Sequence, residues 1–168
     1  MKSETAKKHQ KESSTDITCG LITLSDSRKS EKLDLSGKYI ADEIKSRYEL
    51  KSKVLIPDEK EDLFNAIENM IDEDIDVILT NGGTGLDTRD ITVEAVESLF
   101  EKRIDGFGEL FRAKSYEEIG SAALLSRATA GIYKKTIIFS MPGSPNAVKT
   151  ALNLIIDELP HFVHHVKN

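Results

Sequence analysis

The stretch from Asp76 to Thr92, which reads DVILTNGGTGLDTRDIT, guides the interpretation of the whole chain. It opens with the apolar run Val77–Leu79, passes through three glycines within four residues and ends where a helix is predicted to begin. This strand–loop–helix order builds anion sites in α/β proteins, because glycines let backbone N–H groups close on a phosphate and the helix N-terminus adds a positive dipole. The pattern therefore predicts a phosphate-binding loop.

Two acids, Asp87 and Asp90, follow the glycines closely, and Asp87 is interpreted as a loop acid. A carboxylate repels phosphate unless a cation lies between them, so Asp90 favours a Mg²⁺–nucleotide site. Three plainer interpretations stay open: the glycines could form a tight turn, Arg89-Asp90 could be a surface ion pair, and Asp90 could cap the helix near Thr92. The loop matches neither the G-x-G-x-x-G dinucleotide pattern nor the Gly-Lys-Ser/Thr ending of a P-loop.

The composition is that of a soluble globular protein. Hydrophobic residues make up 39% of the 168 positions and charged residues 31%, which is enough to bury a core. The net charge of −6 argues against a general nucleic-acid binder, whose surface would be basic. Residues 1–14 lack apolar periodicity and are predicted to be a disordered tail, whereas residues 15–168 are predicted to form one domain.

The single cysteine, Cys19, lies in an apolar run and is expected to be a buried strand residue in a reducing compartment. No apolar run approaches the roughly 20 residues of a membrane span, and the N-terminal residues lack the apolar region of a signal peptide. The predicted location is the cytoplasm, with no membrane partner.

Strands alternate with helices along the chain, which predicts an α/β sandwich with a mostly parallel sheet and one antiparallel member late in the sequence. A helix capped by Ser36 follows the first strand, and a helix with Leu110 and Phe111 buried begins after a break at Gly106–Gly108. The predicted strands are Ile17–Leu24, Val54–Ile56, Ile75–Leu79, Thr129–Tyr133 and Thr136–Met141.

Polar residues follow the predicted strands, and the carboxyl ends of parallel strands meet at one edge of a sheet. Asp58 would therefore lie near the glycine loop and could help to hold Mg²⁺, although it is equally well placed to start a helix. Ser126, Arg127 and Ser144 could donate hydrogen bonds to phosphate or carbonyl groups, and Ser144 could instead cap the last helix. His161, His164 and His165 have a spacing that could bind a metal, but a solvated helix end is the preferred interpretation.

Four motifs together are more specific than any one of them. They are Asn-Gly-Gly-Thr-Gly-x-x-x-Arg-Asp-x-Thr (81–92), Asp-Gly-Phe-Gly-Glu (105–109), Ser-Arg-Ala (126–128) and Met-Pro-Gly-Ser-Pro (141–145). In this combination the chain resembles the MoaB/MogA molybdenum cofactor biosynthesis family, which includes a domain of gephyrin. The resemblance covers residues 15–160, and residues 106–120 are more similar to the MoaB branch.

The resemblance implies a molybdopterin adenylyltransferase, in which the terminal phosphate of molybdopterin attacks the α-phosphorus of Mg-ATP and pyrophosphate leaves. The family's essential acids correspond to Asp58 and Asp90, which would also hold Mg²⁺, and the acid of the Gly-Phe-Gly-Glu motif corresponds to Glu109. The residues expected to bind pterin and nucleotide are Ser25, Asp26, Thr80, Gly82, Gly83, Thr84, Gly85, Arg89, Ser126, Arg127, Pro142, Gly143 and Ser144.

The resemblance also implies a three-layer α/β/α sandwich that assembles as a trimer or hexamer, with other cofactor-biosynthesis enzymes as candidate partners. Val93 stands where many members have proline, which affects only the helix start. Some MoaB-branch proteins lose the Arg-Asp pair after the glycine loop, and this chain keeps it as Arg89-Asp90. Two other functions stay open, a non-catalytic molybdopterin carrier or scaffold and a nucleotide-pyrophosphate hydrolase on the same fold.

Overall fold

The computed structural model describes residues 16–26 and 33–168, so the tail predicted for residues 1–14 lies outside the described residues. Six strands form one sheet in the order β2-β1-β3-β6-β5-β4. The strands are β1 (Thr18–Leu24), β2 (Glu49–Ile56), β3 (Val77–Asn81), β4 (Lys102–Arg103), β5 (Thr129–Tyr133) and β6 (Thr136–Met141). The helices are α1 (Leu35–Lys45), α2 (Lys60–Asp72), α3 (Thr92–Leu99), α4 (Asp105–Ile119), α5 (Pro145–Ile155) and α6 (Leu159–Lys167). Short 3₁₀ helices cover Gly120–Leu125 and Ile156–Glu158.

Strands β2, β1, β3 and β6 pair in parallel, whereas β5 and β4 pair antiparallel at one side of the sheet. The predicted mixed, mostly parallel sheet is therefore confirmed. Strand β4 has only two residues, both exposed, and the sequence carried no signal for it. Strand β2 begins at Glu49, five residues before the predicted start, because its pairing with β1 extends back to the pair Thr18 and Glu49.

Helices cover both faces of the sheet, because neighbouring residues of the central strands bury their side chains on opposite sides. Leu21 and Leu79 pack in one core cluster with helices α1, α4, α5 and α6. Ile22 and Ile78 pack in a second cluster with α2 and α3. This arrangement is the three-layer α/β/α sandwich that the resemblance implies, and the structural relatives reported below confirm it.

The link between β5 and β6 is a two-residue turn, as the Lys134-Lys135 spacing predicts. Both lysines have positive φ, 48° at Lys134 and 66° at Lys135. Such a pair matches the right-handed twist of the two strands, and glycine or asparagine is the usual choice for it. The hairpin therefore forms with side chains that strain its turn.

Three details of the helices differ from the sequence-based expectation. Asp34, rather than Ser36, caps α1, because its carboxylate accepts a hydrogen bond from Gly37 N at 2.8 Å. Helix α4 runs through Gly106 and Gly108 without a break, since Phe107 and Phe111 anchor it in the core. Leu110 was expected to be buried and is 59% exposed.

A buried carboxylate at the amino end of the sheet is paired with a lysine. Asp76 Oδ2 accepts hydrogen bonds from Thr18 N at 2.9 Å and from the Thr18 hydroxyl at 3.0 Å, and the Lys167 ammonium of α6 pairs with Oδ1. Nearby, Cys19 is fully buried in β1, and burial raises the pKa of its thiol to about 12. In the part of the chain that the structure describes, no helix is both long and apolar enough to cross a membrane.

Candidate active site

The strand order places a crevice at the carboxyl ends of β1 and β3. From β1 the chain crosses to β2 on one side and later returns to β3 on the other, and ligands in open α/β sheets bind where the order reverses in this way. The glycine loop (Gly82–Gly85) and the segment Pro142–Ser144 face each other there around a cavity of about 330 Å³. Predicted site residues that line it are Gly82, Gly83, Thr84, Gly85, Asp90, Ser126, Pro142, Gly143 and Ser144.

The glycine loop has a backbone that other residues adopt only with strain. Gly82 has φ of +104° and Gly83 of +62°, both in the left-handed region. Thr92 fixes this conformation, because its hydroxyl donates to Gly82 O at 2.9 Å and its N–H to Gly83 O at 3.0 Å. The residue that begins α3 thus ties the loop to the start of that helix.

The N–H groups of the loop are available to an anion. Gly82 N donates to Met141 O at 3.0 Å, but the N–H groups of Gly83, Thr84 and Gly85 donate to no other residue that the structure describes. Ser144 caps α5 from across the cavity, where its hydroxyl accepts from Ala147 N at 3.3 Å. The loop amides and the helix N-terminus together make this cavity favourable for phosphate.

The two predicted catalytic acids lie against the glycine loop. A Cβ built on Gly83 would sit 3.1 Å from Asp58 Oδ1, and one on Gly85 would sit 2.5 Å from Asp90 Oδ2. Asp58 Oδ1 is buried and has no hydrogen-bond partner among the described residues. Burial raises the pKa of Asp58, and the neighbouring Asp26 and Asp90 charges act in the same direction. An unpaired buried carboxylate oxygen beside an anion loop fits a divalent cation.

Asp90 is not a helix cap, contrary to one interpretation of the sequence. Its Oδ2 accepts a hydrogen bond from Asp87 N at 2.9 Å, which folds the segment between the glycines and α3 back on itself. The residue before α3 is Ile91, whose side chain makes no capping bond. Asp58 does not cap α2 either, since that position belongs to Glu59.

A cluster of charged side chains supports Asp58 from the solvent side. Asp26 N donates to Asp58 Oδ2 at 2.9 Å, and Asp58 N donates to Asp26 Oδ1 at 3.0 Å. Arg89 binds Asp26 Oδ2 through two nitrogens at 2.9 and 2.7 Å and Glu59 at 3.0 Å. The backbone N–H of Asp58, followed by Arg89, lowers the pKa of Asp26. In this structure the Arg89 guanidinium is therefore bound to acids.

Arg127 bridges the glycine loop and the segment before α3. Its guanidinium donates to Thr84 O at 3.3 Å and to Asp90 O at 3.2 Å, and it pairs with Glu94 of α3. The hydrogen bond from Arg127 lowers the pKa of Glu94. The sequence predicted that Arg127 donates to phosphate or carbonyl groups, and in the structure it donates to two backbone carbonyls of the segment that carries Asp90. Its role in binding a ligand stays a prediction.

Glu109 lies apart from the other two predicted acids. It is exposed on α4 and lines a second cavity of about 520 Å³ together with Arg103, Arg112 and Arg127. This cavity is larger than the one at the glycine loop, and Ser126 lines both. The fold thus provides two adjacent compartments, with Asp90 in one and Glu109 in the other.

Thr80, which was assigned to the binding set, does not line the cavity at the glycine loop. Its side chain is fully buried, and its hydroxyl donates to Ser140 Oγ at 2.7 Å. Ser25 and Asp26 lie at the end of β1 beside Asp58 and do not line the cavity at the glycine loop.

No group of three His, Cys, Asp or Glu side chains suited to a metal occurs within residues 16–26 and 33–168, and this range includes the three histidines of α6. Mg²⁺ needs no such group, because it binds through one or two carboxylates and the phosphates of its substrate.

The cavity walls include residues that sequence reasoning missed. Phe111, Ser115 and Ile119 of α4 line the side opposite the glycine loop. Their spacing of four residues places them on one helix face, and this periodicity was the available signal. Arg112 of the second cavity carried a weaker signal, three residues after Glu109 on the same helix.

These features define the class of protein to which the chain belongs. A parallel sheet with an amide-rich glycine loop and two acids at its switch point is typical of α/β proteins that bind phosphorylated ligands. Residues 20–161 match the family described as "Probable molybdopterin binding domain". The chain belongs to this molybdenum cofactor biosynthesis family.

Curated relatives align over nearly their whole length. The chain is 45% identical to molybdenum cofactor biosynthesis protein B of Bacillus cereus, and the match covers 92% of this chain and 93% of that protein. It is 43% identical to the molybdopterin adenylyltransferase of Pyrococcus furiosus, over 95% and 96% of the two chains. The crystal structure of the tungsten cofactor synthesizing protein MoaB from P. furiosus superposes with a TM-score of 0.87 at 42% identity, covering 92% of this chain and 99% of that one.

Proposed function

We propose that this chain catalyses adenylyl transfer from ATP to molybdopterin in molybdenum cofactor biosynthesis. The P. furiosus relative named molybdopterin adenylyltransferase aligns over 95% of the chain, which supports the reaction class. In this reaction a phosphate oxygen of molybdopterin forms a bond to the α-phosphorus of ATP. The bond from that phosphorus to the β-bridging oxygen breaks, and pyrophosphate leaves with the electron pair.

The observation that carries the proposal is the arrangement of the glycine loop between two acids. Three loop N–H groups are free of bonds to other described residues, and Asp58 Oδ1 is buried without a partner beside Gly83. Asp58 and Asp90 would hold Mg²⁺ with the triphosphate, and the cation would neutralise charge on the phosphates. The protein's own contribution is positioning and charge stabilisation, which dominate catalysis of phosphoryl-type transfer.

Two compartments that meet at Ser126 suit a reaction of two substrates. One is lined by the glycine loop and Asp90, and the other by Glu109 and three arginines, Arg103, Arg112 and Arg127. We propose that Glu109 acts in the second compartment on the substrate bound there, a role that the resemblance alone gives it. Arg89 and Arg127 act by holding the acids and the loop in place.

The test is pyrophosphate release from ATP in the presence of Mg²⁺ and molybdopterin. Asp90→Asn keeps the shape of the side chain and removes its charge, so we expect kcat to fall by about 100-fold or more. Asp87→Asn is the matched control, because Asp87 lies three residues away and its side chain bonds, among the described residues, only within its own loop. Equal activity of wild type and Asp90→Asn would show that the role given to Asp90 is wrong.

The same assay separates an enzyme from a carrier. A non-catalytic carrier binds molybdopterin in calorimetry and releases no pyrophosphate from ATP, whereas an adenylyltransferase does both. Omitting Mg²⁺ tests the cation: we expect turnover to stop on chelation and to resume when Mg²⁺ is restored.

We also propose that the chain self-associates as a trimer or hexamer. Five large apolar side chains within residues 110–125 are more than half exposed, which is unusual for a monomer. They are Leu110, Tyr116, Ile119, Leu124 and Leu125. Light scattering coupled to size-exclusion chromatography measures the assembly directly. A cytoplasmic location and contacts with other cofactor-biosynthesis enzymes stay predictions.

A further inference from the structure

A chain of buried hydrogen bonds runs beneath the glycine loop and takes no part in the roles assigned so far. Asn81 Nδ2 donates to the Thr23 hydroxyl at 2.8 Å, and that hydroxyl donates to Asp34 Oδ2 at 2.7 Å. Asp34 Oδ1 accepts from Gly37 N at 2.8 Å. All three polar side chains are at most 1% exposed, so water does not compete for these bonds.

The chemistry of the groups fixes the direction of each bond. An ionised carboxylate only accepts, so the single hydroxyl proton of Thr23 goes to Asp34. The oxygen of Thr23 is then left as an acceptor, and only the NH₂ side of the Asn81 amide can face it. Asn81 Oδ1 consequently points away, buried and without a hydrogen-bond partner among the described residues. Because Asn81 directly precedes Gly82, this constraint acts on the start of the glycine loop.

The same helix end reaches the opposite side of the cavity. Ser36, two residues after Asp34, donates its hydroxyl to Gly143 O at 2.8 Å. The two loops also touch each other, since Gly82 N bonds to Met141 O and a Cβ built on Gly143 would lie 3.3 Å from Gly82 Cα. The first residues of α1 therefore contact one loop through Thr23 and Asn81 and the other loop through Ser36.

We infer that Asp34, Thr23, Asn81 and Ser36 form a bracket that sets the spacing between the glycine loop and the segment Pro142–Ser144. The bracket contacts no ligand; its residues are positioning residues for the anion floor of the cavity. This inference rests on the proposed function for its kinetic test. A misplacement on the order of 1 Å at a transferring group costs about 100-fold in rate, so small changes in this spacing are measurable.

The decisive variant is Thr23→Val, which keeps the shape of the side chain and removes the hydroxyl. We expect kcat to fall by about 10- to 100-fold at saturating ATP, with a smaller rise in KM. Thr23→Ser retains the hydroxyl and is expected to keep kcat within about threefold of wild type. Ser36→Ala, which removes only the second arm, should lower kcat in the same direction by less than Thr23→Val does.

Thr136→Val is the matched control for loss of stability. Thr136 is also a buried threonine, and its hydroxyl donates to Ile75 O at 2.9 Å at the opposite end of the sheet. If Thr136→Val lowers kcat as much as Thr23→Val at an equal fall in Tm, or if Thr23→Ser does not restore kcat, the bracket has no positioning role.

Failure of the bracket can be distinguished from failure of the proposed function. If wild type releases no pyrophosphate with ATP and molybdopterin, the proposed reaction is wrong. The bracket is then judged by calorimetry with inorganic pyrophosphate alone. Weaker binding to Thr23→Val than to Thr136→Val supports it, and equal binding, or no binding to wild type, overturns it.

Discussion

Asp76 and Asp58 are both carboxylates beside the parallel sheet, and they differ in what surrounds them. Asp76 lies at the amino end, where Thr18 donates two hydrogen bonds to Oδ2 and the Lys167 ammonium forms an ion pair with Oδ1. Asp58 lies at the carboxyl end, where Oδ1 is buried without a partner among the described residues and burial raises its pKa. The first arrangement is what a stabilising acid requires, and the second leaves one carboxylate oxygen available to a cation.

If the chain works as proposed, stability and activity are concentrated at opposite ends of one sheet. An unpaired buried acid lowers stability, and proteins retain such groups mainly at functional sites. The same Asp→Asn substitution should therefore lower activity at Asp58 and lower stability at Asp76.

The largest effect is expected for Asp58→Asn. The amide cannot replace the charge beside the glycine loop, so kcat should fall by about 100- to 1,000-fold in the pyrophosphate-release assay. The free energy of unfolding should stay the same or rise, because a buried charge is removed. Asp62→Asn, in the first turn of α2, controls for a general loss of negative charge. A fall in stability with retained activity would reverse the functional assignment of the two ends.

The converse substitution is Asp76→Asn. It removes the ion pair with Lys167 and weakens two charge-assisted bonds to Thr18, so urea denaturation should show a loss of about 2–3 kcal/mol in unfolding free energy. The kcat of the folded protein should not change. Lys167→Gln leaves the buried Asp76 Oδ1 without its charged partner but keeps both bonds from Thr18, so it should cost less, about 1–2 kcal/mol. An equal loss for both variants would contradict the view that the buried bonds dominate.

A smaller effect concerns the pH dependence of stability. The pKa of Asp58 is raised in the folded state above its ordinary value of 3.8. As pH rises above 3.8 the unfolded chain releases this proton first, so the folded state loses stability until its own raised pKa is passed. Asp58→Asn lacks this loss. The unfolding free energy of the variant minus that of wild type should therefore increase with pH across this window and then level off. If this difference in unfolding free energy does not change with pH, the pKa of Asp58 is not raised in the folded state.

The smallest effect is expected at the turn between β5 and β6. Lys135 has φ of +66°, which glycine adopts without strain, so Lys135→Gly should raise the unfolding free energy by roughly 0.5 kcal/mol. Lys135→Ala keeps the strained backbone and should give no gain. Activity should not respond to either change, because the turn is at the amino end of β6. A change in kcat would show that the two ends are coupled.

Much of the fold followed from local patterns in the sequence. The buried runs of β1 and β3 and the spacing of β5 and β6 indicated strands, because apolar and β-branched residues are concentrated there. The start of α4 did not follow, since glycine is a poor helix former and two glycines lie in its first turn. Tertiary contacts decided the outcome: Phe107 and Phe111 are buried, and a Cβ on Gly108 would lie 2.6 Å from Ala128 O.

Those parts of the candidate site that consist of consecutive residues were predictable from the sequence. The glycine loop and the segment Pro142–Ser144 lie in one cavity, as strand ends in a parallel sheet require. The positions of Glu109 and Thr80 were harder to predict, because they depend on packing between distant segments. Glu109 is exposed on α4, and Thr80 is buried where its hydroxyl bonds to Ser140. The bracket residue Asp34 ends the charged run 28–34, which carries no signal for a structural role in the sequence. Only its hydrogen bond with Thr23, eleven positions earlier, indicates its role.

The fully buried Cys19 can report local unfolding of the central sheet through its reaction with thiol reagents. It is the only thiol in the chain, and burial holds its pKa near 12, so thiol reagents meet neither an exposed group nor a thiolate in the folded state. Labelling by such a reagent requires β1 to separate from its neighbours. The labelling rate then equals the intrinsic rate multiplied by the equilibrium constant for opening, which makes the stability of the central sheet measurable without denaturant.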